Sequence, residues 1–268
     1  RFAMPLPETE TLQLESPEPH IQIVRLNRPE VSNAFNTQMG RDLHTVWSAL
    51  IAEPGDIRCV ILTATGGRAF CAGGDLKERK GMTDAAWRHQ HEIFERAFWT
   101  MLDCQIPIIA AVNGHAYAGG LELVLASDFA YGVTGTRFAL TEVTIGIMPG
   151  AGGTQTLPRI VGERRAKEII LTGKPFTAEQ ALEWGILNRV CAPDEVLPAA
   201  LETARVIAGN APLSIRQAKR SMHFGLQMDL RSALRFEVEC YNQLVGTEDR
   251  QEGILSFNEK RKPVFKGR

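Results

Sequence analysis

Paired cysteines are missing from this chain. Its five cysteines, Cys59, Cys71, Cys104, Cys191 and Cys240, are scattered, odd in number and form no CxxC. That pattern argues against a disulfide framework and against a zinc site, and it fits a reducing compartment. A charge excess is missing too, since the formal net charge is −1. There is no global basic field to draw nucleic acid or an anionic membrane. No apolar run is long enough to cross a bilayer, and no signal-peptide apolar region is visible. Several catalytic signatures are also lacking. There is no GxSxG and no HExxH, and Gly173-Lys174 is followed by Pro175, which breaks a phosphate loop. Gly150 to Gly153 (GAGG) lacks the GxGxxG spacing of a dinucleotide site. His89 and His91, two apart, would point away from each other on a helix and read as solvated.

What remains is an ordinary globular composition over 268 residues. That length suits one large domain or two small ones, with a core that needs no staples. The most informative stretch is Asn113 to Ala126, NGHAYAGGLELVLA. A glycine pair, Gly119 and Gly120, precedes an apolar run holding one acid, Glu122. A helix apolar on every side is a buried helix. A carboxylate inside it is costly unless it is paired or employed. Taken alone, Glu122 is either a satisfied structural acid or a working one. The glycines allow close backbone approach to a ligand, and free N–H groups at a helix start favour negative charge.

Read in order, the chain begins with a polar arm or edge strand over residues 1–19. Arg1 to Ala3 read as a cloning remnant or as the end of a processed precursor. Ile21 to Leu26 alternates as a strand, and Asn36 or Thr37 caps a helix running to about Ala52. Ile57 to Thr63 and Pro107 to Val112 are strands of the doubly buried kind. Gly66 to Lys77, GGRAFCAGGDLK, is a glycine loop opening a short helix, and Asp84 to Leu102 is an amphipathic helix. Phe129 to Val133, Arg137 to Leu140 and Ile186 to Val190 are further strands. Ile145 to Thr154 is a glycine-rich turn, with helical patterns at 163–172 and 177–184. After Pro193 the pattern is helical, at 194–209, 213–224, 229–245 and 248–260. This divides the chain into a core, 1–193, and a helical region, 194–268. Strand, glycine turn and helix follow one another twice, like a recurring ββα unit.

Two loops, GGDLK at Gly73 to Lys77 and AGGLE at Ala118 to Glu122, each offer N–H groups where a helix starts after glycine. Two such donors aimed at one point make an oxyanion hole. Glu142, in FALTEVTIGIMPG, is a second acid among apolar neighbours. Two carboxyls with separated pKa values are what proton transfer needs. Either loop alone reads as a structural turn, and Glu142 alone as a satisfied acid; together they carry the functional reading. Lys77 and Arg79 beside a glycine loop are either phosphate contacts or the solvated face of a short helix. The basic cluster at Lys260, Arg261, Lys262 and Lys266 is open to the same two readings.

AFCAGGDLKE (Ala69–Glu78), AAVNGHAYAGGLELVLASDF (Ala110–Phe129) and FALTEVTIGIMPGAGGTQTLPRIVG (Phe138–Gly162) together resemble the crotonase, or enoyl-CoA hydratase/isomerase, superfamily. LNRPEVSNAF (Leu26–Phe35) and FNEKRKPVFKG (Phe257–Gly267) also fit. The resemblance implies an α/β fold: a right-handed spiral of ββα units with a C-terminal helical trimerisation region, as a trimer or a hexamer built from two trimers. It implies oxyanion N–H groups from Gly74 and Gly119, and a two-glutamate pair at Glu122 and Glu142. Holding both acids favours addition of water across a 2-enoyl-CoA double bond.

The resemblance also implies a substrate path along Val31, Ala34, Ala72, Gly73, Asp75 and Leu76. Lys77, Phe257 and Lys260 become candidates for the phosphates or adenine of CoA. Tyr117 replaces the usual leucine before the glycines and is expected to narrow or polarise the acyl pocket. No metal and no cofactor beyond the substrate's CoA is expected, and neither nucleic acid nor a membrane as partner. The expected location is cytoplasmic, or the mitochondrial matrix if Arg1 follows a removed presequence. Two other readings stay open. One is a different CoA-thioester reaction, either double-bond isomerisation or 3-methylglutaconyl-type hydration. The other is a non-catalytic RNA-binding or scaffold member, which would want a lysine-rich face; the helix over 84–102 contains no lysine.

Overall fold

The computed structural model describes residues 6–268; the readings placed on Arg1 to Ala3 lie outside the described residues. The chain opens with an antiparallel hairpin, β1 (Leu12–Glu18) and β2 (Ile21–Leu26). Helix α1 (Thr37–Ala52) starts where Asn36 accepts the Met39 N–H at 2.9 Å, a side-chain cap for an otherwise orphaned donor. The helix buries the stripe Met39, Leu43, Val46, Trp47 and Leu50.

Three strand pairs follow, each pair ending in a helix or a helical turn. β3 (Cys59–Ala64) and β4 (Ala69–Cys71) lead into α2 (Leu76–Arg79) and α3 (Asp84–Asp103). β5 (Ile108–Val112) and β6 (His115–Tyr117) lead into α4 (Gly119–Ala126). β7 (Phe129–Val133) and β8 (Arg137–Ala139) lead into a 3-10 turn at Glu142–Ile145. The first strand of each pair joins a six-stranded sheet ordered β1-β2-β3-β5-β7-β10, with β10 at Arg189–Cys191, parallel from β2 onward. The second joins a small sheet ordered β4-β6-β8-β9, with β9 at Phe176–Thr177. The ββα order expected from the sequence is therefore a repeated step from one sheet to the other.

The remaining elements are α5 (Gly153–Val161), α6 (Glu163–Thr172), β9 (Phe176–Thr177), α7 (Ala178–Glu183), β10 (Arg189–Cys191) and α8 (Val196–Gly209). After them come α9 (Pro212–Gly225), α10 (Leu230–Val245) and α11 (Glu248–Asn258).

Both faces of the large sheet are covered, and strand alternation sorts the side chains between them. Val24, Leu26, Val60, Leu62, Ile108 and Ala110 face α1, α3 and α4. Ile21, Ile23, Cys59, Ile61, Ile109 and Ala111 face α8, which meets them with Ala200, Ala204 and Ala208. Sheets buried on both sides carry unbroken apolar runs, which is why β3 and β5 are legible in the sequence.

Several elements depart from the sequence reading, among them the two-residue strand β9. β4 and β6 lie inside stretches read as glycine loop and helix start, and three residues are too short to show a period. α5 occupies residues read as the end of a glycine turn; Pro158 within it masks the helical pattern. The last strand starts at Arg189 rather than Ile186, because Ile186 and Leu187 bond back to the Ala181 carbonyl.

Candidate active site

α4 is where the small sheet meets the helices. Its approach is close: a Cβ on Gly120 would come within 2.3 Å of the Cys71 carbonyl oxygen on β4. Only glycine lets the helix start there. Ala118, just before α4, holds φ 50° and ψ −124°, a conformation that side-chain-bearing residues rarely adopt. Such strain is concentrated at functional sites. Ala118 also abuts the other glycine loop: a Cβ on Gly73 would sit 2.6 Å from the Ala118 Cβ and 3.5 Å from the Gly119 nitrogen.

The two loops therefore touch, and both present amides. Phe35 donates to the Gly73 carbonyl at 2.7 Å and accepts from the Asp75 N–H at 2.9 Å. This short parallel bridge uses the groups flanking Gly74, so alternation turns the Gly74 N–H to the opposite side. Gly119 is the first residue of α4, where an N–H has no partner within the helix. Among the described residues neither amide has an acceptor. Asp75 locks the first loop. It caps α2 by accepting from Lys77 and Glu78, and it pairs with Arg28 at 3.0 Å.

A cavity of about 400 Å³ opens at these amides. Glu122 and Glu142 both line it, and both are buried, at 3% and 7% exposure. Glu122 is aimed by the turn after Pro149: the Ala151 and Gly153 N–H groups each donate to its Oε1 at 2.8 Å. Its Oε2 lies on the Gly119 side, 4.0 Å from where a Cβ on that residue would sit. Burial pushes its pKa up to about 7; the charge of Glu142 adds to the rise, and the two N–H groups oppose it. Burial also raises Glu142, whose Oε2 has no hydrogen-bond partner among the described residues. Two acids with raised affinity for a proton thus share one cavity with two uncommitted amides.

Of the expected site residues, Ala72, Gly74, Leu76, Gly119, Glu122 and Glu142 are brought together on the cavity wall. Gly73 and Asp75 stand behind it, shaping the loop. Val31 lies in a 3-10 turn, and Ala34 accepts from Arg28 at 2.6 Å; neither lines the cavity. Lys77 is exposed on the first turn of α2. Phe257 borders a separate shallow hollow with α9 and Phe265, and Lys260 is exposed beyond α11. Tyr117 is not on the cavity wall either. In β6 it shares a face with His115, on whose ring it stacks at 6.0 Å, while Ala116 between them points into the core. This alternation sets Tyr117, expected from the sequence to narrow or polarise the acyl pocket, beside His115 and apart from the residues lining the cavity.

Sequence reasoning missed several wall residues. His91, read as solvated, lines the cavity, and its ring stands 2.6 Å from where a Cβ on Gly150 would be. Phe94 and Phe98, on the helix read from sequence only as amphipathic, form wall as well as core. Arg79 turns inward instead of facing solvent. The amides of Ala151 and Gly153 had one available signal, the glycine run soon after Glu142.

Comparison with known proteins follows this geometry. A sequence model of the family described as enoyl-CoA hydratase/isomerase matches residues 17–268. The Bacillus subtilis protein YngF is 42% identical over 248 residues, covering 92% of this chain and 95% of that protein. The short-chain-enoyl-CoA hydratase of Clostridium acetobutylicum is 36% identical, over 91% of this chain and 94% of that protein. The crystal structure of an enoyl-CoA hydratase from Bacillus anthracis superposes with a TM-score of 0.94 at 39% identity. It covers 97% of this chain and is itself covered completely, at 100%.

Proposed function

The chain belongs to the enoyl-CoA hydratase/isomerase family, and we propose that it adds water across the double bond of a 2-trans-enoyl-CoA. The observation that carries this is the pair of buried acids, Glu122 and Glu142, beside the Gly74 and Gly119 amides. The thioester oxygen accepts from the two amides. They stabilise the negative charge that grows there as the β carbon is attacked. Glu122, held through Oε1, accepts a proton from water by its Oε2, and the oxygen of that water bonds to the β carbon. Glu142 donates its proton to the α carbon as the enolate collapses. The pair starts and ends with one proton between them, so the sum is one water added. Raised proton affinity suits both roles near neutral pH. The chemistry asks for no group beyond the CoA carried by the substrate.

A panel of 2-enoyl-CoA thioesters of rising length and branching tests this reading. Hydration removes the conjugated thioester's absorbance and yields a 3-hydroxyacyl-CoA. Formation of a 3-enoyl-CoA with no hydroxyl product would replace hydration by isomerisation.

A further inference from the structure

Arg79 is the only lysine or arginine on the cavity wall among the described residues. Its side chain is built into place. The Nε donates to Gln90 Oε1 at 2.8 Å. Gln90 is 2% exposed and is itself held, since its amide donates to Glu78 and to Thr37 Oγ1, both at 2.8 Å. The guanidinium lies over the Trp87 ring at 4.3 Å and near the Phe94 ring at 5.4 Å. Nothing described pairs with its outer nitrogens: no carboxylate lies within ion-pair distance, and Nη1 and Nη2 donate to no acceptor among the described residues. Burial lowers its pKa, yet an arginine stays charged.

The Glu78 carboxylate, one step away through Gln90, acts on this charge from the Nε side, but no carboxylate pairs directly with the partly buried guanidinium, and such an arrangement is costly. The charge does not serve the two glutamates either, because neither Glu122 nor Glu142 is shifted by it. Its Nη1 lies 3.5 Å from where a Cβ on Gly74 would sit, beside the oxyanion amide. The thioester carbon is held at that amide, so a group a few bonds along the acyl chain can reach the guanidinium. The phosphates of CoA lie at the far end of the pantetheine arm. The wall beside Arg79 is aromatic, with Trp87 and Phe94 against the guanidinium, and a less polar surrounding strengthens a charge-assisted bond.

We infer that Arg79 is a substrate-recognition residue for an acyl group ending in a carboxylate, as in a 2-enedioyl-CoA, placed there by the Glu78–Gln90 relay. This rests on the hydratase reading for the reaction but not for its test. A planar guanidinium whose Nη1–Nη2 edge is free can match a carboxylate in bidentate fashion. Without it, the acids lining the same cavity would repel such a chain.

The experiment is calorimetric binding of two saturated, unreactive ligands, glutaryl-CoA and pentanoyl-CoA, to the wild type, Arg79→Met and Arg79→Lys. The wild type is expected to bind glutaryl-CoA at least about tenfold more tightly, or about 1.4 kcal/mol. Arg79→Met should bring the two within about twofold, and Arg79→Lys should fall between. A cooperative thermal melt shows that each variant is folded; if Arg79→Met is not, the wild-type ratio and Arg79→Lys decide. Equal binding of both ligands by the wild type overturns the proposal. So does an equal loss of glutaryl-CoA, pentanoyl-CoA and free CoA in the variants, which would assign Arg79 to a CoA phosphate. Because nothing is hydrated, failure of the hydratase reading would show separately, as no turnover of any enoyl-CoA.

Discussion

In the proposed reaction Glu142 and Glu122 divide the work, and each division has a consequence that can be measured. Glu142→Gln keeps the shape and removes the proton, so hydration of crotonyl-CoA should fall at least about a hundredfold. Binding of a saturated acyl-CoA should change little. Near wild-type turnover would remove Glu142 from the mechanism. For Glu122 the pKa is raised above its ordinary 4.5 to about 7. The proposed reaction needs it ionised, so activity should fall as pH drops through about 7. Stability moves the other way. Between pH 4.5 and about 7 the folded chain keeps a proton that the unfolded chain has lost, so stability declines as pH rises across that window. Glu122→Gln escapes this penalty, since its carbonyl oxygen can still accept from Ala151 and Gly153. It should melt higher than wild type at pH 8, by up to about 3 kcal/mol, and little differently at pH 4. A melt at pH 8 no higher than wild type would contradict the buried-charge account.

At the scale of elements, the site depends on how closely α4 can approach β4. Gly120→Ala would place a methyl group 2.3 Å from the Cys71 carbonyl oxygen and 2.8 Å from its Cβ. Neither is a flexible chain end, so strand and helix must part. Overpacking of this kind costs about 1–3 kcal/mol. It should also move the Gly119 amide, lowering both the melting temperature and kcat/KM. A variant with both unchanged would mean that the contact is soft.

The long elements were legible because burial repeats within them. α1 and α3 show their helical stripes, and β3 and β5 their unbroken apolar runs. β4 and β6 were not, because three residues carry no period and their pairing partners are distant in sequence. α5 was hidden by Pro158. His91 is read as solvated, and Arg79 stays open between two readings, for a related reason: local pattern tells whether a face is polar, not whether that face lines a cavity.

Over the whole molecule, α8 closes the second face of the large sheet while α9 and α10 are left showing apolar side chains. Met222, Leu226, Leu230, Leu234, Val238 and Tyr241 are all exposed. Exposed apolar surface of that extent marks an interaction site. α9 is nonetheless anchored to the core, since Lys219 donates to the Ile106 carbonyl at 3.0 Å and pairs with Asp128 at 2.7 Å. We expect light scattering behind a sizing column to report three or six copies. We also expect paired charges at Leu234 and Val238 to yield a smaller species; a wild-type monomer at micromolar concentration would refute this.

By itself the sequence determined the order of buried strands and amphipathic helices, the two glycine-led loops, and the two acids in apolar settings. Each is a local property, written in residue type and period. Only the tertiary structure decided what these meet. It packed Gly73 against Ala118, so that the two loops open on one cavity. It brought the Ala151 and Gly153 amides onto Glu122 from 29 and 31 residues away. It faced Arg79 inward over Trp87 and Phe94, and left Tyr117 outside on the alternation of a three-residue strand. Contacts between distant segments are set by packing of the whole chain, and no local period records them.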